Sequence, residues 1–191
     1  MTALALKRFY TSEQYLKMER AADFRSEFIC GEIVAMAGGT RHHTRIISNL
    51  FFRISSALDD SPCLTSTSDG QVRTGNETLY TYPDINIVCE EPEYSDDGYD
   101  VLLNPMVIVE VLSPSTENFD RILKFQHYKD IPSFREYILV SQKQPKIEQF
   151  VKTNEGEWEH HITEGIDSTL ILFTVAVSIP FTDIYKRVDF S

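Results

Sequence analysis

Apolar and polar positions divide this chain into two helical stretches and a series of short strands. Thr11, with Gln14 three residues on, forms a capping box and predicts a helix running to about Ala22. Phe28 to Met36 reads as a hairpin turning at Cys30-Gly31, after which Gly38-Gly39 breaks the chain. From His42 to Leu58, the residues Ile47, Leu50, Phe51, Ile54 and Leu58 recur with helical spacing. Thr65 to Val72 reads as an irregular strand, and Tyr80 to Val88 as a strand with Pro83 at its start or on an edge. Pro105 to Leu112 is almost wholly apolar, the pattern of a strand covered on both faces. A helix follows from Thr116 to Asp130, closed by Ile131-Pro132. Strands are predicted at 137–140, 147–151, 158–162 and 170–177, with a short last helix from Thr182 to about Val188. Strand, turn, helix and strand over 106–140 imply a parallel crossover. The class is therefore α/β or α+β, with a mixed sheet.

The 191 residues fit one domain, 1–191, with a sizeable core. The longest apolar stretch, Leu170 to Phe181, is interrupted by Thr174 and Ser178 and falls short of the about 20 residues that span a bilayer. In the leading segment, Met1-Thr2-Ala3-Leu4-Ala5-Leu6-Lys7-Arg8, the positive charges follow the apolar residues. A secretory signal has the reverse order, so the expected location is cytoplasmic. Cys30, Cys63 and Cys89 form no C-x-x-C pair and read as unpaired thiols of a reducing compartment, without a disulfide framework or a zinc site.

The net charge of −11 argues against nucleic acid until its distribution is considered. Residues 76–120 hold no Lys or Arg and 11 Asp or Glu, whereas residues 121–152 hold 7 Lys or Arg and 3 Asp or Glu. Glu90-Glu91-Pro92-Glu93 and Asp96-Asp97 read as a solvated acidic loop. That loop leaves two carboxylates unexplained. Asp84 sits in Tyr82-Pro83-Asp84-Ile85-Asn86-Ile87-Val88, and Glu110 in Met106-Val107-Ile108-Val109-Glu110-Val111-Leu112. A lone ionised carboxylate in an apolar sheet costs several kcal/mol unless it is paired, neutralised or bound to metal.

Alternation puts Glu110 on one face of its strand with Met106, Ile108 and Leu112. An antiparallel pairing with the Asp84 strand would bring the two acids together. Two carboxylates, a carbonyl and water supply the hard oxygen donors that Mg²⁺ prefers, and Mg²⁺ (or Mn²⁺) chemistry suits phosphodiester hydrolysis. Lys124 can supply a cation, and Asp120, Lys124 and Tyr128 share one helix face. Arg41, His42, His43 and Arg45 make a basic cluster at a helix start, a candidate phosphate contact. His160-His161 reads as a surface feature.

Pro83-Asp84 followed by Glu110-Val111-Leu112 resembles the PD-(D/E)XK nuclease superfamily. The longer string Glu110-Val111-Leu112-Ser113-Pro114-Ser115-Thr116, with Asp120, Lys124 and Tyr128 after it, resembles the Uma-two branch of restriction-endonuclease-like proteins. Glu27-Phe28-Ile29, Gly31-Glu32-Ile33-Val34, His43 and Arg135-Glu136-Tyr137 support the resemblance, which runs from about residue 10 to 185. It implies a restriction-endonuclease-like fold, a central mixed sheet flanked by helices. It further implies Asp84, Glu110 and the carbonyl of Val111 as metal ligands. The superfamily lysine normally falls two residues after the second acid, where this chain has Leu112, so Lys124 on the following helix takes that role. Glu27 matches an early acidic position, whereas Cys30 stands where the family usually has an acidic residue.

The leading expectation is a Mg²⁺-dependent endodeoxyribonuclease acting on DNA. Asp84, Glu110, Lys124 and Glu27 are its catalytic candidates, and His43, Arg41 and Tyr128 its substrate contacts. Symmetric cutting of a duplex would call for a homodimer. Two alternatives stay open: an inactive nuclease-like scaffold, and a metal-dependent phosphoesterase for a small substrate.

Overall fold

The structure is a computed structural model describing residues 8–36, 38–95, 100–114 and 116–190. The leading Met1 to Lys7, Asp96-Asp97 of the acidic loop and Ser115 of the Ser-Pro-Ser-Thr string lie outside the described residues.

Helix α1 (Ser12–Ala21) starts at the expected capping box, in which Thr11 Oγ1 accepts the Gln14 amide and Gln14 Oε1 accepts the Thr11 amide. Strands β1 (Ser26–Ile29) and β2 (Glu32–Ala35) form the hairpin. Its two turn residues, Cys30 and Gly31, have φ of +48° and +92°. A two-residue turn with positive φ at both positions favours Asn, Asp or Gly. The acidic residue expected at position 30 thus fits a turn requirement, and Cys30 tolerates it.

Helix α2 (Arg41–Leu58) buries Ile46, Leu50, Ile54 and Leu58. The stripe is centred one position earlier than Ile47 and Phe51, which are only partly buried. Strands β3 (Leu64–Thr67), β6 (Ile85–Val88), β7 (Val107–Leu112), β8 (Glu136–Ser141), β9 (Lys146–Lys152) and β10 (Trp158–Glu164) build a six-stranded sheet in the order β10-β9-β8-β7-β6-β3. Only β7 and β8 run parallel, joined by the predicted crossover; the other pairs are antiparallel. A second sheet has the order β2-β1-β5-β4, with β4 (Val72–Arg73) and β5 (Leu79–Thr81). Val107, Val109 and Val111 pack in one core with Ile46, Leu50 and Ile54 of α2. Ile108 and Leu112 pack in another with Phe125, Tyr128 and Tyr137. The central strand is thus covered on both faces.

Four expectations need correction. Tyr80 to Val88 is not one strand: the chain leaves the ladder at Tyr82-Pro83-Asp84, placing β5 and β6 in different sheets. Pro83 has no amide to donate, which favours a break there. Thr65 to Val72 is likewise divided between the two sheets. Leu170 to Val177 is a hairpin of β11 (Thr169–Leu172) and β12 (Val177–Pro180), whose turn lacks Gly, Pro or Asn. The fully buried Glu136 carboxylate fixes that turn by accepting the amides of Phe173 and Thr174. The crossover helix contains a π-helical stretch, Phe119–Lys124, continuing into α3 (Phe125–Tyr128). The last helix, α4, is short, Phe181–Ile184.

The thiol expectation also fails at two positions, because Cys63 and Cys89 are joined by a disulfide. Leu64 pairs with Val88 across β3 and β6, so the next residues outward face each other. Closing a chain segment of 26 residues is expected to stabilise the fold by about 2–4 kcal/mol. Urea unfolding with and without dithiothreitol measures that difference. Cys30 is free and exposed. Among the described residues, no helix is long and apolar enough to cross a membrane.

Candidate active site

The register of β6 and β7 brings the two acids together. Ile85 lies opposite Val109, so one step outward sets Asp84 beside Glu110. Asp84 Oδ2 accepts the Val111 amide at 2.7 Å, and the Asp84 amide lies 3.4 Å from Glu110 Oε2. Glu110 is buried, on the β7 face opposite Val109 and Val111.

The π-helical stretch aims Lys124 into the same place. Its Nζ lies 3.0 Å from Glu110 Oε1, 3.0 Å from Glu27 Oε1 and 3.2 Å from Asp120 Oδ1. Tyr128 donates its hydroxyl to Glu110 Oε1 at 3.3 Å. Glu27 arrives from β1 and also accepts the Thr81 hydroxyl and, at 3.4 Å, the Tyr82 amide. The Ser-Pro-Ser-Thr string orients Asp120. Ser113 Oγ meets Thr116 Oγ1 at 2.9 Å, and Thr116 Oγ1 donates to Asp120 Oδ2 at 2.6 Å. The other Asp120 oxygen is thereby aimed at Lys124. Helical spacing puts Asp120 on the right face without marking it as a member of the site.

Electrostatics follow from four carboxylates gathered about one lysine. Burial disfavours the Lys124 cation, but Glu110, Glu27 and Asp120 outweigh burial and hold its pKa well above the usual lysine value. Lys124 is therefore a fixed positive charge at neutral pH. Burial pushes Glu110 well above the usual carboxylate range; Lys124 pulls against this, while Asp120, Asp84 and Glu27 add to it. Burial likewise raises Asp120 against the pull of Lys124.

His43 completes the surroundings. Its Nε2 lies 3.3 Å from Asp84 Oδ2, and the ring also hydrogen-bonds the Val111 backbone. Burial opposes protonation, yet the Asp84 hydrogen bond and charge lift its pKa above the ordinary value. Thr40 caps α2 by accepting the His43 amide at 3.2 Å. Thr40 Oγ1 also lies 2.5 Å from Gln142 Oε1, and Gln142 Nε2 donates to the Leu112 carbonyl at 2.8 Å. That chain ties the helix start to the end of β7. Gly39 leaves room for the imidazole: a Cβ there would come 2.6 Å from His43 Nδ1, whereas one at Gly38 would meet nothing within 4 Å. In the sequence this glycine pair reads only as a chain break, and Gln142 carries no local signal because its partners are remote. The expected basic cluster divides, with His43 against the acids and Arg41 and Arg45 exposed to solvent.

Among the described residues, no group of three or more His, Cys, Asp or Glu is arranged to hold a metal ion. A divalent cation would therefore rest on the Asp84 and Glu110 carboxylates with the Val111 carbonyl and water. These are hard oxygen donors, and the excess of buried negative charge over Lys124 favours a cation there.

The crystal structure of a putative nuclease belonging to DUF820 from Anabaena variabilis superposes with a TM-score of 0.72, at 19% identity, over 92% of this chain and 97% of that one. Two Synechocystis proteins are similar in sequence. The uncharacterized protein sll1609 is 34% identical over 158 residues, covering 83% of this chain and 89% of its own. The uncharacterized protein slr1290 is 34% identical over 178 residues, covering 93% of this chain and 92% of its own. The family model for Uma2, described as "putative restriction endonuclease", matches residues 12–180, and the chain belongs to the Uma2 family.

Proposed function

We propose that this protein is a divalent-metal-dependent endodeoxyribonuclease that hydrolyses phosphodiester bonds at the Asp84–Glu110–Lys124 cluster. The observation that carries this reading is the Lys124 amine held 3.0 Å from Glu110, beside Asp84, in a buried site with excess negative charge. Asp84, Glu110 and the Val111 carbonyl would hold the metal. When bound, Mg²⁺ or Mn²⁺ supplies Lewis-acid polarisation of the phosphoryl group and a lowered pKa for the attacking water.

The chain's own residues do the rest. Lys124, permanently charged, holds Glu110, Glu27 and Asp120 in place and offers positive potential to the charge that develops on phosphate. Tyr128 fixes the Glu110 carboxylate by its hydrogen bond. Glu27 is positioned to accept a proton or orient water through Lys124. His43 steadies Asp84 and presents a cation beside it. Paired cuts in a duplex would use two copies of the chain.

Incubation of supercoiled plasmid with the protein and Mg²⁺ or Mn²⁺, against an EDTA control, tests the reading. Metal-dependent conversion to open circles is expected; no conversion in either metal by a folded protein would refute it. Gly39→Ala is expected to slow cleavage about 10–100-fold by displacing the His43 ring from its support of Asp84. Gly38→Ala, which meets open space, should leave the rate unchanged.

A further inference from the structure

The opposite flank of α2 carries a feature that the acid cluster does not use. Arg45, Ser48, Asn49, Phe52 and Arg53 line a cavity of about 330 Å³ with Asp183, Lys186 and Arg187. Four cations and one carboxylate meet there, in a protein whose net charge is −11. The carboxylate is already engaged, since Asp183 Oδ1 pairs with Arg53 at 2.9 Å. Among the described residues, no ion pair engages Arg45, Lys186 or Arg187.

The groove is built by specific contacts. Asn49 Nδ2 donates to the carbonyls of Ile184 and Lys186 at 2.9 and 3.0 Å, docking the end of α4 against α2. Arg187 then takes a positive φ of +63°, turning the chain just after Lys186. Phe52 stands in this basic setting with 63% of its surface exposed. The Arg53 guanidinium lies 5.7 Å from its ring centroid. An exposed aromatic ring among free cations is the combination that binds unpaired nucleic acid, with phosphates on the cations and a base stacked on the ring. A duplex keeps its bases stacked on one another and could use only the cations.

We infer that this groove binds single-stranded nucleic acid, its phosphates on Arg45, Lys186 and Arg187 and a base on Phe52. The inference rests on the nuclease reading for its substrate class and assigns that substrate an unpaired segment. Residues 43 and 52 are nine apart on α2, so the stacking ring stands about 14 Å along the helix axis from the His43 level. The groove is thus a holding site separate from the acids.

The test is fluorescence anisotropy of a labelled oligo-dT and of a duplex of equal length, both in EDTA, so that cleavage plays no part. The variants are Phe52→Ala, the double change Arg45→Ala with Arg187→Ala, and Lys152→Ala as a control outside the groove. All the altered side chains are partly or fully exposed, and thermal melting confirms the fold. Phe52→Ala is expected to weaken oligo-dT binding about ten-fold and leave duplex binding unchanged. The double arginine variant is expected to weaken oligo-dT binding and reduce its salt dependence by about one power of salt concentration. Unchanged oligo-dT affinity in both variants overturns the proposal, as does equal loss of duplex binding in Phe52→Ala. Groove-dependent oligo-dT binding by a protein that never nicks plasmid upholds this inference and removes the catalytic one, so the two fail separately.

Discussion

Glu110→Gln is expected to lower the metal-dependent cleavage rate about 10²–10³-fold, the scale on which removing one charge-stabilising group acts, without loosening the fold. The substitution keeps shape and an oxygen that can accept from Lys124 and Tyr128, which lie 3.0 and 3.3 Å from Glu110 Oε1. It removes a negative charge that burial and the neighbouring Asp120, Asp84 and Glu27 disfavour. Metal-free thermal stability should therefore be equal to or above that of the parent. Cleavage timed on supercoiled plasmid and melting followed by circular dichroism separate the two effects. A variant that melts normally and cleaves at the parent rate would remove Glu110 from the chemistry.

Lys124→Met is expected to destabilise the protein by about 3–5 kcal/mol, the usual result of stripping the counter-ion from buried charge. Lys124 is 5% exposed and contacts Glu27, Glu110 and Asp120. Methionine fills much of the same volume, so the loss measures charge and not a cavity. Adding Glu110→Gln to Lys124→Met should recover part of the stability, because one of the stranded carboxylates is then neutral. Urea unfolding of the two single variants and the double variant gives the coupling. A loss below about 1 kcal/mol for Lys124→Met would match the usual worth of an exposed ion pair and would contradict the central placement of this lysine.

What the sequence reveals here is set by how local each cause is. The Thr11–Gln14 capping box and the alternation of Val107, Val109 and Val111 against Ile108 and Leu112 depend on neighbours in sequence, and both appear as read. Asp84 and Glu110 stand out because a charge in an apolar strand demands an explanation, and the antiparallel register of β6 and β7 joins them. The Cys63–Cys89 disulfide needs the register of β3 with β6, which composition does not carry. The turn after Leu172 is set by Glu136, 37 residues from Phe173. The wider π-helical turn at Phe119–Lys124 leaves Ile122 and Leu123 exposed, so apolar spacing there could not mark it. Gly39 shows a further limit: its lack of a side chain matters only because the His43 ring lies against it.

The central claim is that the acids around Lys124 hold a divalent cation. Titration of the folded protein with Mn²⁺, followed by the loss of the free-ion paramagnetic resonance signal, tests it directly. The account predicts binding by the parent protein that Glu110→Gln and Asp84→Asn each weaken sharply. Binding unchanged in both variants, or none by a parent that remains folded, would contradict it.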